Sequence, residues 1–253
     1  MAADNNKNKK NVRYKYIEHQ VLELFRHIEE IDPSLLAFPL DLPKIITYFV
    51  NYRLWTYEHF MKVVNVDMET TIRHCNSKTG CSFYNLNENK FVILYNTNMV
   101  VGRQRWTLAH EIGHCYLGHF AELNNLIMNE YLKQATEIND SYNVELSKEI
   151  CFCKFVEFMN NKNYTLPENS LDSKIHLTFF EHEADCFTAL FLAPFPLFEL
   201  LGISSPEDIE NRFGLSKLAS KNRYTEYLEW KDKHYKTAYC IDMVKLFSKY
   251  IKP

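Results

Sequence analysis

The chain has 253 residues, of which 46% are hydrophobic, so it is long and apolar enough to bury a substantial core. This composition excludes a wholly disordered protein. A formal net charge of -3, with 24% charged residues, excludes a strong overall attraction to nucleic acid or to an anionic membrane.

The N-terminal part of the sequence predicts a short tail followed by two helices. Residues 1–12 are rich in Asn and Lys, which cannot form a core, and we predict a disordered tail there. Apolar residues then recur at helical spacing over residues 16–28, and the Asp-Pro pair that follows predicts the end of this helix. A second amphipathic stretch is predicted to run as a helix over residues 42–60.

Three short segments between residues 70 and 100 predict a small sheet. They are TTIRHC, CSFYNL and KFVILYN, which are rich in β-branched and aromatic residues and are separated by turn-forming clusters. In the whole chain Gly is scarce, with 6 residues, whereas Tyr and Phe are abundant, with 16 and 18. We therefore predict an α+β fold that is mostly helical, with a small mixed β-sheet and an aromatic core.

The segment RWTLAHEIGHCYLGHF contains an H-E-x-x-H motif and is predicted to be helical from an N-cap at Thr107. On a helix His110 and His114 lie about 40° apart, one turn from each other, so both imidazoles can reach one ion, and this arrangement suits zinc. Glu111 projects from the flank of this face. It is predicted to be the general base, which takes a proton from the attacking water and passes it to the leaving amine. Gly113 costs about 1 kcal/mol in mid-helix and therefore predicts the close approach of another backbone.

A second apolar helix, FFEHEADCFTALFLAP, is predicted to supply the third metal ligand. Glu181 and Asp185 lie one turn apart on it, where two carboxylates are costly without a nearby cation. We predict that Glu181 completes the zinc site with His110 and His114. Asp185 is predicted to accept the remaining N–H of a liganding histidine. Glu183 faces another side of the helix and is the alternative ligand.

His119 is the rival for the third ligand position. The metzincin pattern requires Gly at position 117 and His at position 120, but the chain has Leu117 and Phe120 there. His119 also lies about 140° around the helix from His114. We therefore expect His119 to pack or to face a partner rather than to contact the metal.

Two features outside these motifs are less informative. The donor that stabilises the oxyanion is left open among His182, Arg223 and Tyr224, because a C-terminal helix with the last two could close over the cleft. Cys151 and Cys153 are too isolated and too close together for a zinc knuckle, and we expect ordinary buried cysteines.

These motifs together resemble the ImmA/IrrE family of metallopeptidases. The resemblance rests on RWTLAHEIGHCYLGH, EHEADCFTALFLAP and RFGLSKLASKNR, with KFVILYN upstream, and covers about residues 70–120 and 178–228. It implies a compact zincin-like core with one zinc ion per chain, held by the three ligands named above, and Glu111 as the catalytic glutamate. It also implies a cytoplasmic protein that cleaves a helix-turn-helix transcriptional repressor or a similar regulatory protein.

The predicted domain organisation follows the order of the motifs. A zincin-like peptidase domain over residues 13–200 contains a helical insertion at 122–176, because 66 residues (115–180) separate the two ligand-bearing motifs, more than the family implies. Residues 201–253 form a helical segment that resembles a helix-turn-helix around Gly214. An insertion beside the cleft is expected to change what binds before it changes the reaction.

Composition also predicts the compartment and the partners. Seven cysteines at irregular spacings fit a reducing compartment, and the sequence shows neither a secretory signal nor an apolar run of about 20 residues, so we predict a cytoplasmic protein without membrane contact. The expected partner is a protein substrate, without direct nucleic-acid binding, and the oligomeric state is open. Two alternative functions remain: a DNA- or protein-binding regulatory module with a structural zinc, and a proteolytic member of a toxin-type or host-interference pair.

Overall fold

The described part of the chain consists mainly of α-helices around one small sheet. The computed structural model describes residues 12–75, 77–85, 89–122, 149–151, 177–234 and 237–250. The helices are α1 (Tyr14–Ile31), α2 (Leu42–Tyr48), α3 (Tyr57–Val64), α4 (Met68–Cys75), α5 (Val101–Tyr116), α6 (Leu177–Leu192), α7 (Pro196–Leu200), α8 (Pro206–Phe213), α9 (Lys217–His234) and α10 (Ala238–Phe247). None of these described helices combines the length and the apolar composition needed to cross a bilayer.

The strands are β1 (Tyr52–Thr56), β2 (Gly80–Asn85), β3 (Lys90–Tyr95) and β4 (Glu149–Cys151), in the spatial order β1-β3-β2-β4. β1 is parallel to β3, whereas β2 is antiparallel to both β3 and β4. β3 is central, and its residues 92–94 are all buried, as expected for a continuous apolar run covered on both faces. The predicted α+β class, mostly helical with a small mixed sheet, is confirmed.

Several predicted elements lie outside the described residues. The tail predicted at 1–12 is described only at its last residue, and most of the insertion predicted at 122–176 falls outside the described ranges. The helix-turn-helix outline falls within them: α8 ends at Phe213, its C-cap Gly214 has a left-handed φ of 65°, and α9 begins at Lys217.

Two predictions in the N-terminal half are wrong. The segment 70–75 is not a strand but part of α4, because the Asp67 carboxylate accepts a hydrogen bond from the backbone N–H of Thr70 at 2.7 Å and so caps a helix. The stretch 42–60 is not one helix, since residues 52–56 form β1 instead. There the backbone groups pair with β3, and tertiary pairing overrides the helical pattern.

The helix with the H-E-x-x-H motif begins earlier than predicted. Thr107 is not its N-cap but a buried residue inside α5, which starts at Val101. The additional turns are held by long-range contacts that a local pattern does not reveal. The Arg105 guanidinium donates hydrogen bonds to the carbonyl oxygens of Leu40 and Phe213, at 2.6 and 3.1 Å.

A cluster of aromatic side chains joins α1, α6 and α10. Phe25 on α1 is fully buried, and its ring centroid lies 5.2 Å from that of Phe191 on α6 and 5.0 Å from that of Phe247 on α10. The ring of Phe38, which lies between α1 and α2, is 6.3 Å away. These contacts confirm the aromatic core and hold α6 against the N-terminal helix.

The close approach predicted at Gly113 is confirmed where α5 packs against α6. A Cβ atom placed on Gly113 would lie 3.4 Å from the Cα atom of Ala184 and 3.1 Å from the ring of Phe187. A larger residue would therefore push apart the two helices that carry the H-E-x-x-H and E-x-x-x-D motifs.

Replacement of Gly113 by Val is expected to lower the free energy of unfolding by about 1–3 kcal/mol, because the added methyl groups overpack the α5–α6 contact. Gly113→Ala is the matched control, since the gain of about 1 kcal/mol in helix propensity offsets a shift of a few tenths of an ångström. Urea denaturation measures both variants. A Val variant as stable as the Ala variant would contradict the tight packing.

Candidate metal centre

Two helices bring the predicted site residues together. His110 and His114 lie one turn apart on α5 and face α6, where Glu181 occupies the second turn. The exposed fractions of these side chains are 16%, 2% and 43%, so the group has a buried side, formed by the imidazoles, and an open side, formed by the carboxylate.

The potential ligand atoms of this group converge. The Nε2 atoms of His110 and His114 are 3.0 Å apart, and they lie 3.1 and 3.6 Å from the two carboxylate oxygens of Glu181. Four ligands placed at about 2.05 Å around a tetrahedral zinc ion would be separated by about 3.3 Å. The observed separations bracket this value, so the three residues fit a small divalent ion as His-His-Glu ligands.

The electrostatics around the imidazoles favour a cation. Burial lowers the pKa of His110, but hydrogen bonds with Asp185 and Glu181 and the charge of Glu111 outweigh it and raise the pKa to about 10. Burial and the neighbouring imidazole of His110 hold the pKa of His114 well below its ordinary value. His114 is therefore neutral, as a metal ligand must be.

Asp185 lies behind His110, one turn along α6 from Glu181. Its Oδ1 atom is 3.0 Å from Nδ1 of His110. Because a carboxylate only accepts hydrogen bonds, Nδ1 of His110 is the donor. Nε2 of His110 faces Glu181 at 3.1 Å, and at this raised pKa it also carries a proton, which a metal ion would replace while Nδ1 keeps its hydrogen bond to Asp185.

Glu111 lies on the wall of the same cleft and is 6% exposed. The hydroxyl of Ser82, a buried residue of β2, donates a hydrogen bond to its Oε2 atom at 2.5 Å. Sequence reasoning missed Ser82. A single hydroxyl in the apolar part of a strand could have drawn attention to this residue, but its pairing with Glu111 was not predictable from the sequence.

The cleft around this group has a volume of about 250 Å³ and is open to solvent. Besides the residues already named, its walls are formed by Ser77, Thr79, Gly80, Arg103, Trp106 and Thr107. Arg103, Trp106 and Thr107 precede His110 by seven, four and three residues, so helical spacing could have identified them as cleft residues.

Glu183 and His119 occupy a separate position, behind His114. Their side chains are both fully buried, and Oε2 of Glu183 lies 3.2 Å from Nε2 of His119. Burial raises the pKa of Glu183, but hydrogen bonds from Arg13 and His119 outweigh it and lower the pKa to about 2, so the side chain is a carboxylate. Neither residue belongs to the convergent group of possible ligands.

The three candidate oxyanion donors do not line the cleft among the described residues. The Tyr224 hydroxyl donates a hydrogen bond to the carbonyl oxygen of Ser204 at 2.6 Å. Nε of Arg223 donates to the carbonyl oxygen of Ala193 at 3.0 Å, and its guanidinium lies over the ring of Phe195. Both residues therefore hold the C-terminal helices together. His182 lies beside Glu181 but is likewise not one of the cleft-lining residues.

Comparison with protein families agrees with this geometry. Residues 65–151 match a family model, Peptidase M78, described as the IrrE N-terminal-like domain. This segment is similar to the IrrE N-terminal-like domain. The resemblance to the ImmA/IrrE family is thereby confirmed, and the family supports a function of the metallopeptidase type. Comparison with curated proteins gives no match.

The IrrE N-terminal-like match includes β2, β3 and the H-E-x-x-H motif of α5, and it ends at residue 151. Glu181 and Asp185 on α6 lie beyond the matched segment. Their place beside the imidazoles therefore rests on the packing of α6 against α5, and not on the family match. The geometry alone therefore brings His110, His114 and Glu181 together as a group that could hold a metal ion.

Proposed function

We propose that the protein is a zinc-dependent metalloendopeptidase in which His110, His114 and Glu181 hold one zinc ion per chain. The observation that carries the proposal is the convergence of two imidazoles and one carboxylate from separate helices, with all ligand atoms within 4.8 Å of one another. Two nitrogen ligands and one oxygen ligand in an open cleft are typical of catalytic zinc sites, which keep one coordination position for water or substrate.

The residues around this group have separate roles in the proposed peptide hydrolysis. A bound zinc ion supplies a Lewis acid for the water and for the scissile carbonyl. Glu111 accepts a proton from the attacking water and delivers it to the amine nitrogen of the leaving peptide. Ser82 holds the Glu111 carboxylate in one orientation, and Asp185 holds the ring of His110.

The proposed substrate is a helix-turn-helix transcriptional repressor or a similar regulatory protein, cleaved in the cytoplasm. The resemblance to the ImmA/IrrE family supports this substrate class, and the open cleft is suited to a polypeptide segment. The cytoplasmic compartment is supported by free thiols at the described cysteines, Cys75, Cys81, Cys115, Cys186 and Cys240.

The alternative of a DNA- or protein-binding module with a structural zinc has less support. A structural site ordinarily closes its coordination with a fourth Cys or His. Among the described residues the convergent group holds three ligands and faces a cleft. A proteolytic member of a toxin-type or host-interference pair would use the same site and differ only in its target.

Replacement of Glu181 by Ala is expected to raise the dissociation constant for zinc by more than about 100-fold. Removing a direct ligand weakens metal binding more than removing a residue that only supports a ligand. Competition with a chromophoric chelator measures the constant for the purified full chain. Glu207→Ala, at an exposed position on α8, is the matched control and should bind one zinc ion as the wild type does. Unchanged affinity in Glu181→Ala would overturn the proposed site.

A further inference from the structure

A buried ionic cluster lies behind His114, on the side away from the cleft. It comprises Glu183 on α6 and His119, two side chains with no exposed surface, together with Arg13 immediately before α1. A buried carboxylate is costly unless it is paired, and an apolar residue would serve the helix packing equally well. Stabilising the fold is therefore not a sufficient reason for this cluster to be ionic.

Arg13 holds the Glu183 carboxylate in one position. Its Nε donates to Oε1 at 2.9 Å, and its Nη2 donates to Oε2 at 2.6 Å, which is a bidentate pair. The backbone N–H of Arg13 also donates to Oε1 at 3.1 Å. A third side-chain donor, Nη1, bonds to Glu122 at 2.8 Å, so both ends of the guanidinium are anchored.

The carboxylate determines the tautomer of His119. Oε2 of Glu183 can only accept, so Nε2 of His119 carries a proton. Nδ1 of His119 faces Nδ1 of His114 at 3.0 Å, and two N–H groups cannot point at each other at this distance. One of the two Nδ1 atoms must therefore be an acceptor.

A metal ligand at Nε2 of His114 needs a lone pair there, which places the proton of the neutral ring on Nδ1. Nδ1 of His114 then donates to Nδ1 of His119. The chain of contacts from Arg13 through Glu183 and His119 therefore supports the tautomer of His114 that directs a lone pair at His110 and Glu181.

We infer that Arg13, Glu183 and His119 are positioning residues that fix the ring orientation and tautomer of His114. The inference rests on the proposed metal site. It assigns to His114 a buried support of His–carboxylate–Arg type, whereas His110 is supported by the half-exposed Asp185. It also joins the start of α1 to the metal centre across 170 residues of sequence between Arg13 and Glu183.

The test measures zinc affinity and fold separately. His119→Phe keeps a ring in contact with Phe180 but removes both nitrogens, and is expected to raise the zinc dissociation constant by about 10–100-fold. Arg13→Gln, at a partly exposed position, should also raise the zinc dissociation constant. His19→Phe, an exposed position on α1, is the matched control and should bind zinc as the wild type does.

A purely structural cluster would give another result. Thermal unfolding of the metal-free proteins would then show a lower midpoint for His119→Phe and Arg13→Gln, while their zinc dissociation constants stayed within about twofold of the wild type, and the inference would be overturned. His114→Ala separates this failure from that of the proposed site. If His114→Ala binds zinc normally, the site is wrong; if only His114→Ala loses zinc, the positioning role is wrong.

A measurement on the zinc-loaded wild type does not depend on the folding of a variant. Long-range 1H–15N NMR is expected to show His114 protonated at Nδ1 and bound through Nε2, and His119 protonated at Nε2 alone. A doubly protonated His119, or a His114 bound through Nδ1, would overturn the inference.

Discussion

Replacement of Glu111 by Gln is expected to lower the rate of peptide hydrolysis by about 10²–10⁴-fold, the usual contribution of a general base. The amide keeps the size of the side chain and can still accept the hydrogen bond from Ser82, but it cannot take a proton from water. Zinc content should remain at one per chain, because Glu111 is not in the ligand group. Cleavage of a repressor produced in the same cells, followed over time, measures the rate.

The matched control is Glu207→Gln, the same chemical change at an exposed position on α8, which should cleave as the wild type does. Wild-type cleavage by Glu111→Gln would remove this residue from the mechanism. Loss of zinc together with loss of cleavage would place Glu111 among the ligands and not at the water.

Replacement of Phe25 by Ala is expected to lower the free energy of unfolding by about 3–5 kcal/mol, the cost of removing a fully buried aromatic side chain. The ring contacts Phe191 and Phe247, so its loss leaves a cavity where α1, α6 and α10 meet. Urea denaturation of the metal-free proteins measures the change. Most small domains have a total stability of about 5–15 kcal/mol, so this substitution would remove a large part of the free energy that keeps the chain folded.

Two controls give the scale of that effect. Phe25→Leu retains most of the buried volume, so its free energy of unfolding should fall by less than that of the Ala variant. Leu218→Ala, at a position that is 69% exposed, should change stability by less than about 0.5 kcal/mol. If Phe25→Ala lowered the free energy of unfolding as little as Leu218→Ala does, the aromatic cluster would not be the centre of the core.

Local chemistry made part of the fold predictable. The CSFYNL and KFVILYN strands form as expected because their apolar and aromatic residues need a sheet on which to be buried. Residues 70–75 have a similar composition but are helical, since one upstream carboxylate, Asp67, caps α4. Residues 52–56 form β1 only because β3 lies beside them, and that contact is not encoded within the segment.

Helical periodicity alone predicts that His110 and His114 share one face, because residues four apart in a helix are neighbours in any context. Periodicity cannot select the carboxylate that lies beside them. Packing of α6 on α5 at Gly113 places Glu181 next to the imidazoles and turns Glu183 toward the interior. There Arg13 neutralises Glu183, and that pairing depends on two segments 170 residues apart meeting in the folded chain.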